Sequence, residues 1–372
     1  MEDPEFASTG VDQFLIRARG GVGIGTNSPS TALDVIGSAK FGDPTNQANG
    51  ADSFVGGGQL NTAGGTDSFV AGGRSNTASA EGSFVGGGWG NTADGSSSFI
   101  GGGASNTANG RFSFIGGGQD NTANGQSSFI GGGFRNTADG LNSFVAGGRN
   151  NTATGNYSFA AGRNAKANTD GSFVWADSLN FPVDFEGIDN YFVARATGGV
   201  NFITGVDGSG VETSGVSLGP GGTSWQVISD RNAKRAIAQV DPVIVLDRLV
   251  QMPISEYSYI SQDESIRHMG PMAQDFHPLF GLGEDELRIS AMNLAGIALA
   301  AIQGLDTKFS FSADRLFALE ARNAELAERM AVLEIENVEL RQLAERNGQL
   351  EARLAALEAV LLEDREVAER SK

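Results

Sequence analysis

The sequence predicts a mainly β, fibrous solenoid, followed by a small α+β domain and a long coiled-coil helix. Three observations carry this expectation. Phenylalanine falls at positions 54, 69, 84, 99, 114, 129, 144 and 159, always fifteen residues apart. Of the 54 glycines, 29 lie between Ala51 and Ala165, several times the ordinary frequency of about 7%. From Ala313 onward the chain turns into charged sequence with leucine at alternating steps of three and four.

The unit "SFVGGGQLNTAGGTD" begins at Ser53 and returns as "SFVAGGRSNTASAEG", "SFVGGGWGNTADGSS" and four further variants. Phe-Val or Phe-Ile is a short apolar strand. Gly-Gly-Gly permits a turn or close backbone approach, and Asn-Thr-Ala forms a second short element before another glycine turn. Two strands and two turns describe one rung of a solenoid. Rungs stack at about 4.8 Å, placing Phe on Phe and Asn on Asn. A flexible linker would not hold phenylalanine at a constant spacing. A rung offers only a phenylalanine and a branched residue to a core. Covering those stripes with the same stripes of other chains predicts symmetric self-association, with a homotrimer as the expectation.

The expected division is a leader or expression remnant at 1–10, an N-terminal β segment at 11–50, the repeat at 51–173 and a β neck at 174–228. A two-part C-terminal region follows at 229–312 and 313–372. The leader "MEDPEF" is acidic and lacks the basic and apolar regions of a secretory signal. "GVGIG" at 21–25 precedes "TNSPSTALDV" rather than a helix, so it is read as a β-turn of the fibre and not as a nucleotide loop. In the neck the period lapses, while β-type runs such as "NYFVARA" and "VNFIT" persist.

After Ile228 the chain changes character. "SDRNAKRAIAQVDPVIVLDRLVQMPISEYSYI" combines an N-cap-like Ser-Asp, apolar residues at helical period and a strand-like alternation. This predicts an α+β domain. The apolar seam that follows runs through Leu316, Leu319, Leu326, Met330, Leu333 and Leu340 to Leu361, with Asn323, Asn337 and Asn347 at polar a positions that fix register. Two successive steps of three around Leu340 and Leu343 break the heptad as a stammer does.

Composition excludes several functions. The net charge of −18, with five arginines and no lysine between Ala51 and Ala165, argues against binding nucleic acid or an anionic membrane. There is no cysteine, and His268 and His277 are the only imidazoles, so no zinc or iron site and no cofactor are expected. No apolar run approaches the ~20 residues of a membrane span. Sugar cleavage needs clustered carboxylates, whereas the repeats supply mostly Gly, Ser, Asn, Thr and Ala.

The repeat rows, ending in "SFAAGRNAKA" at 158–167, resemble the left-handed parallel β-roll heads of trimeric autotransporter adhesins over roughly 50–175. The resemblance implies a trimeric left-handed parallel β-roll. The fifteen-residue unit and triple glycine depart from the usual fourteen-residue head repeat, so the binding properties of known heads do not carry over. A complete autotransporter, with its C-terminal membrane barrel, is not expected.

"SDRNAK" at 229–234, "HMGPMAQDFHPLFGLGED" at 268–285 and "GIALAAIQGL" at 296–305 resemble, in this order, the intramolecular chaperone of bacteriophage tailspikes and tail fibres, the peptidase S74 family of endosialidase type. The resemblance implies that Ser229 is a nucleophile, Lys234 its base, and Ile228–Ser229 the bond cut, with Asp230, His268 and Gln274 in supporting roles. A serine hydroxyl needs a nearby base, and a desolvated amine can serve as one. The expectation is a trimeric phage-type tail fibre or surface fibre, on a virion tail or bacterial surface. Its C-terminal chaperone would direct folding and then release itself, and a host receptor or glycan would be the external partner. The competing reading is a glycan-binding or glycan-cleaving tailspike fragment.

Overall fold

The computed structural model describes residues 20–184 and 187–370; the leader assigned from sequence, 1–10, lies outside them, as does the start of the N-terminal β segment. The chain forms two compact units, up to Ala233 and from Lys234 onward.

The first unit is a parallel β-solenoid. Each rung of the exact repeat carries one Phe strand and one Thr strand, such as Phe99–Ile100 and Thr107–Ala108. The Phe strands form an eleven-stranded sheet from Ala39–Lys40 to Phe192–Arg195, and the Thr strands a ten-stranded sheet from Gln47–Ala48 to Val183–Asp184. Like pairs with like across the exact repeat, with Phe99 opposite Phe114 and Thr107 opposite Thr122. A third column of single parallel bridges joins Gln59, Arg74, Trp89, Ala104, Gln119, Phe134 and Arg149.

Alternation along each two-residue strand decides what is buried. In the Phe strand the Val or Ile points inward and is fully buried, as at Val55, Ile100 and Ile115, while in the Thr strand the Ala is fully buried, as at Ala63 and Ala108. Each buried Val or Ile contributes ~1.5–3 kcal/mol, and the small Ala opposite lets the two sheets lie close. Phenylalanine points outward instead. Its rings stack into a half-buried ladder, with centroids 4.7 to 5.1 Å apart from Phe54 to Phe144. Such pairs contribute about 0.5–1.5 kcal/mol beyond their area. The sequence reading placed Phe and the branched residue in one core; the two-residue strand sends them to opposite faces.

Buried asparagines, among them Asn61, Asn76, Asn91, Asn106 and Asn121, satisfy the backbone where the glycine turn leaves it unpaired. The two turns of each rung need a left-handed residue. In one turn it is Asp67, Ser97, Phe112, Ser127, Asn142 or Tyr157, and in the other Leu60, Ser75, Ser105, Asp120, Arg135 or Asn150. Asp, Asn and Ser suit this region and bulky residues do not. Phe112 is held there by its N–H donating to the Ser96 carbonyl on the neighbouring rung at 3.0 Å.

The ladders outlast the exact repeat at both ends. Phe159 still stacks on Phe173, and Phe173 on Phe192, although the second step spans 19 residues. Around Asp177 a polar clasp gathers the lengthened loop: Arg195 Nε donates to its carboxylate at 2.7 Å, and Arg195 also donates to the carbonyls of Leu179 and Phe181. Near the N-terminal end Val22–Ile24 pairs in parallel with Leu33–Val35. "GVGIG" is therefore a strand between glycines, not a turn. Beyond the solenoid, Val200–Val206, Glu212–Leu218 and Gln226–Val227 make an antiparallel three-stranded sheet.

The second unit comprises helices α1 (Pro242–Gln251), α2 (Ala273–Phe280) and α3 (Ala291–Arg370), with the hairpin strands Ser255–Tyr257 and His268–Gly270. Asp241 caps α1, accepting from the N–H groups of Val243 and Ile244 at 2.9 and 3.3 Å, ahead of a proline suited to the first turn. Gly281 closes α2 in the left-handed conformation, its N–H donating to the His277 carbonyl. Met252, Phe276 and Ile297 form the small core where the three helices meet. Gly304 brings α3 against the start of α1, where a side chain would strike the Pro242 carbonyl. From Asp314 to Arg365 every side chain of α3 is exposed in the single chain.

Candidate self-processing junction

The antiparallel sheet of the first unit ends in Gln226–Val227, where Val227 lies opposite Val216. Strand pairing stops there, and half-buried Ile228 and exposed Ser229 follow outside any strand. The Ile228–Ser229 peptide thus follows directly after the last strand of this sheet.

Asp230 turns the chain. Its carboxylate accepts from the Asn232 N–H at 2.9 Å and from the Asn232 amide at 3.2 Å, and its carbonyl accepts from the Ala233 N–H. These bonds stabilise the single 3-10 turn Arg231–Ala233. Lys234 follows immediately and is exposed. Ser229 and Asp230 thus belong to the first unit, and Lys234, His268 and Gln274 to the second.

Within the second unit, His268 is built into a cluster that sequence reasoning missed. Its Nε2 lies 2.7 Å from Gln262 Oε1. Its ring stacks against Tyr257 at 5.7 Å and meets Tyr259 edge-on at 5.1 Å. The hydrogen bond with Tyr259, and then burial, push the Tyr257 phenol above its ordinary value of 10.0. Tyr257 and Tyr259 sit two apart in "EYSYI", and that alternation beside a histidine was the available signal. Gln274 lies on the wall of an adjoining groove of about 810 Å³, shared with Tyr257, Tyr259, Met269 and Leu294. His268 and Gln274 are therefore brought into one neighbourhood through the tyrosines.

Among the described residues no group of His, Cys, Asp and Glu could hold a metal ion. No helix there is long and apolar enough to cross a membrane.

Residues 229–281 match the peptidase S74 family, the chaperone of endosialidase. The match opens on Ser229 and closes on Gly281, the residue that caps α2. It takes in α1, the hairpin with its tyrosine–histidine cluster, and α2. The chaperone of endosialidase segment implies a serine-type self-cleaving activity. A repetitive β-solenoid ahead of it gives the layout of a tail-fibre-type protein carrying its own chaperone. Comparison with curated proteins finds no match.

Proposed function

We propose that this chain is a homotrimeric tail fibre or surface fibre whose segment from residue 229 directs trimer folding and then releases itself by cutting Ile228–Ser229. The observation that carries this reading is the coincidence of boundaries: the chaperone of endosialidase match begins at Ser229, one residue after the last strand-adjacent position of the fibre. Ser229 Oγ attacks the Ile228 carbonyl carbon, and the Lys234 amine accepts the hydroxyl proton. The peptide C–N bond breaks in an N-to-O acyl shift, the α-amine of Ser229 takes up the proton, and water hydrolyses the ester that still joins the two fragments, freeing Ile228 as a carboxylate and regenerating the Ser229 hydroxyl. The reaction turns over once, on its own chain.

The exposed helix supports the trimer. A stretch from Asp314 to Arg365 with leucines at coiled-coil spacing and no covered face gains little stability as a lone helix. Parallel β assembly between chains is slow and exposes unpaired edges. A module that trimerises first aligns the rungs, and its removal leaves the fibre kinetically trapped. Asp230, His268 and Gln274 are assigned to support: the first shapes the turn, and the others belong to the tyrosine-lined groove.

Intact-mass analysis of the purified protein beside Ser229→Ala and Lys234→Ala, with native mass to count chains, tests this reading. Fragments 1–228 and 229–372 in the wild type alone, within a threefold assembly, are expected. Separation at the same bond in Ser229→Ala would overturn the assignment of the nucleophile.

A further inference from the structure

The left-handed residue in the turn before each Phe strand belongs to a column of its own. Each member donates its N–H to a carbonyl of the preceding rung: Phe112 to Ser96 at 3.0 Å, Ser127 to Arg111 at 2.8 Å, Asn142 to Gln126 at 3.0 Å and Tyr157 to Leu141 at 2.8 Å. Other rungs place there a residue suited to the conformation, such as Asp67, Gly82, Ser97, Ser127 or Asn142. Phe112 and Tyr157 depart from this, at φ values of +59° and +57°. Bulky side chains are outliers in this region, and such strain clusters where function requires it. Core packing does not account for either ring, since Phe112 is 47% exposed and Tyr157 65%.

The stretch between the two rings is uncharged and open to hydrogen bonding. Its turn-tip residues are Gln126–Ser127, Leu141–Asn142 and Asn156. On the Thr-strand side of the same turns, exposed amides bond from rung to rung: Asn109 donates to Asn124 at 2.8 Å, and Asn124 to Asp139 at 2.7 Å, which engages that carboxylate. Among the described residues the side chains of Gln126, Ser127, Asn142 and Tyr157 make no such bond and stand available to a ligand. Charge enters only at the ends. Arg111 braces Phe112 from 4.4 Å over its ring, and Asp170, one rung past Tyr157, accepts from the Asn156 amide at 3.1 Å.

We propose that Phe112 and Tyr157 are two stacking platforms of a binding site for a neutral, linear oligosaccharide, with Gln126, Ser127 and Asn142 bonding its hydroxyls between them. Equivalent backbone at equivalent places in the rung sends both rings off the same edge. They are three rungs apart, about 14 Å at one strand spacing per rung, so a short sugar chain laid along the column reaches both. An aromatic face covers the C–H face of a pyranose, while free amides and hydroxyls pair with its rim. The backbone ladder fixes the spacing of the platforms before the ligand arrives, which spares the cost of ordering them. A sugar acid would find no cation along the middle of the strip, and no carboxylate pair stands there for hydrolysis. The site therefore takes neutral sugars and binds without cutting. It adds a ligand to the fibre and needs neither the trimer nor the cleavage proposed above.

Serine already occupies this place at Ser97 and Ser127, so Phe112→Ser and Tyr157→Ser keep the turn, and both are expected to melt no lower than wild type. Full-length protein titrated calorimetrically with cellohexaose, mannohexaose, maltohexaose and chitohexaose is expected to bind at least one of them. Each substitution is expected to weaken that binding about tenfold or more. Trp89→Gln removes an exposed aromatic from the bridge column, where Gln59 and Gln119 stand on other rungs, and is expected to leave binding unchanged. Polygalacturonate, an acidic chain, is expected not to compete. Binding to none of the four, binding that Phe112→Ser and Tyr157→Ser leave intact, or preference for polygalacturonate overturns the proposal. Native mass is read on the same samples. Fewer chains in Phe112→Ser or Tyr157→Ser than in wild type would mean that a second copy covers the strip, and overturns it as well. A monomeric wild type that binds through both rings supports this site and overturns the trimer alone.

Discussion

The backbone N–H of Asn106 donates to Oδ1 of Asn91 on the neighbouring rung at 3.1 Å, while the Asn106 amide donates to the carbonyls of Gly102 and Gly118 at 3.0 and 2.9 Å. One side chain thereby serves its own turn and the rungs on either side. Its Oδ1 also accepts the N–H of Asn121. Asn106→Ala orphans that buried donor and weakens the glycine turn, so it is expected to destabilise the solenoid by about 2–3 kcal/mol. Asn106→Asp keeps the acceptor but brings an anion against carbonyls, and should be worse. Urea midpoints of the two variants check the order.

Two invariant glycines of one turn should differ in tolerance. A methyl on Gly103, whose φ is +94°, would meet the Gly118 carbonyl oxygen at 2.1 Å, whereas the nearest atom to one on Gly102 is 3.9 Å away. Gly103→Ala is expected to prevent the rungs from stacking and to lower the yield of folded protein sharply. Gly102→Ala should leave the urea midpoint nearly unchanged. Equal losses in both would show that the turn geometry is wrong.

Gly304 sets helix propensity against packing. Alanine favours a helix over glycine by about 1 kcal/mol, but here its methyl would lie 2.2 Å from the Pro242 carbonyl oxygen. Overpacking of this kind costs about 1–3 kcal/mol. Gly304→Ala is therefore expected to destabilise the second unit and loosen α1, seen as faster amide exchange across Pro242–Gln251. Slower exchange would mean that propensity wins.

The Asp177 clasp sets an acid limit on the end of the solenoid. The Thr197 hydroxyl, its N–H and Arg195 together hold the Asp177 carboxyl well below its ordinary 3.8. A depressed carboxyl stabilises the fold fully above its unfolded value and loses that effect as pH falls through the folded one. The melting-temperature gap between wild type and Asp177→Asn should therefore be constant near neutrality and close on acidification past 3.8. Thr197→Val should make the gap smaller and complete its closing at higher pH. A pH-independent gap would remove the carboxylate from the explanation.

The period of phenylalanine made both ladders legible in sequence, because identical side chains stacked at one rung spacing demand a fixed repeat. The facing within each Phe strand was not legible: Phe and Val are both apolar, and only the strand direction tells that Val55 goes in and Phe54 out. Ladder pairing beyond Ala165 was hidden because rungs that lengthen between Phe173 and Phe192 keep strand register while losing sequence period. At the junction, the roles proposed for Ser229 and Lys234 rest on family resemblance, since a serine and lysine at this spacing occur at many helix starts. The Tyr257–Tyr259–His268 cluster comes from a hairpin whose strands are separated by a loop, a contact that local spacing does not announce.

Like-on-like stacking has a consequence for how such a fibre changes length. Because each rung rests on a neighbour that presents the same Ser, Phe, Asn and Thr positions, a fifteen-residue cassette can be inserted or deleted without any surviving contact changing its chemical kind. Each cassette moves the distal end by one strand spacing, about 4.8 Å, while extra residues inside a rung only lengthen its loop, as between Phe173 and Phe192, and leave the reach unchanged. The gene for this solenoid is a ruler graduated in units of one rung, and unequal recombination between its own repeats is enough to reset its reach.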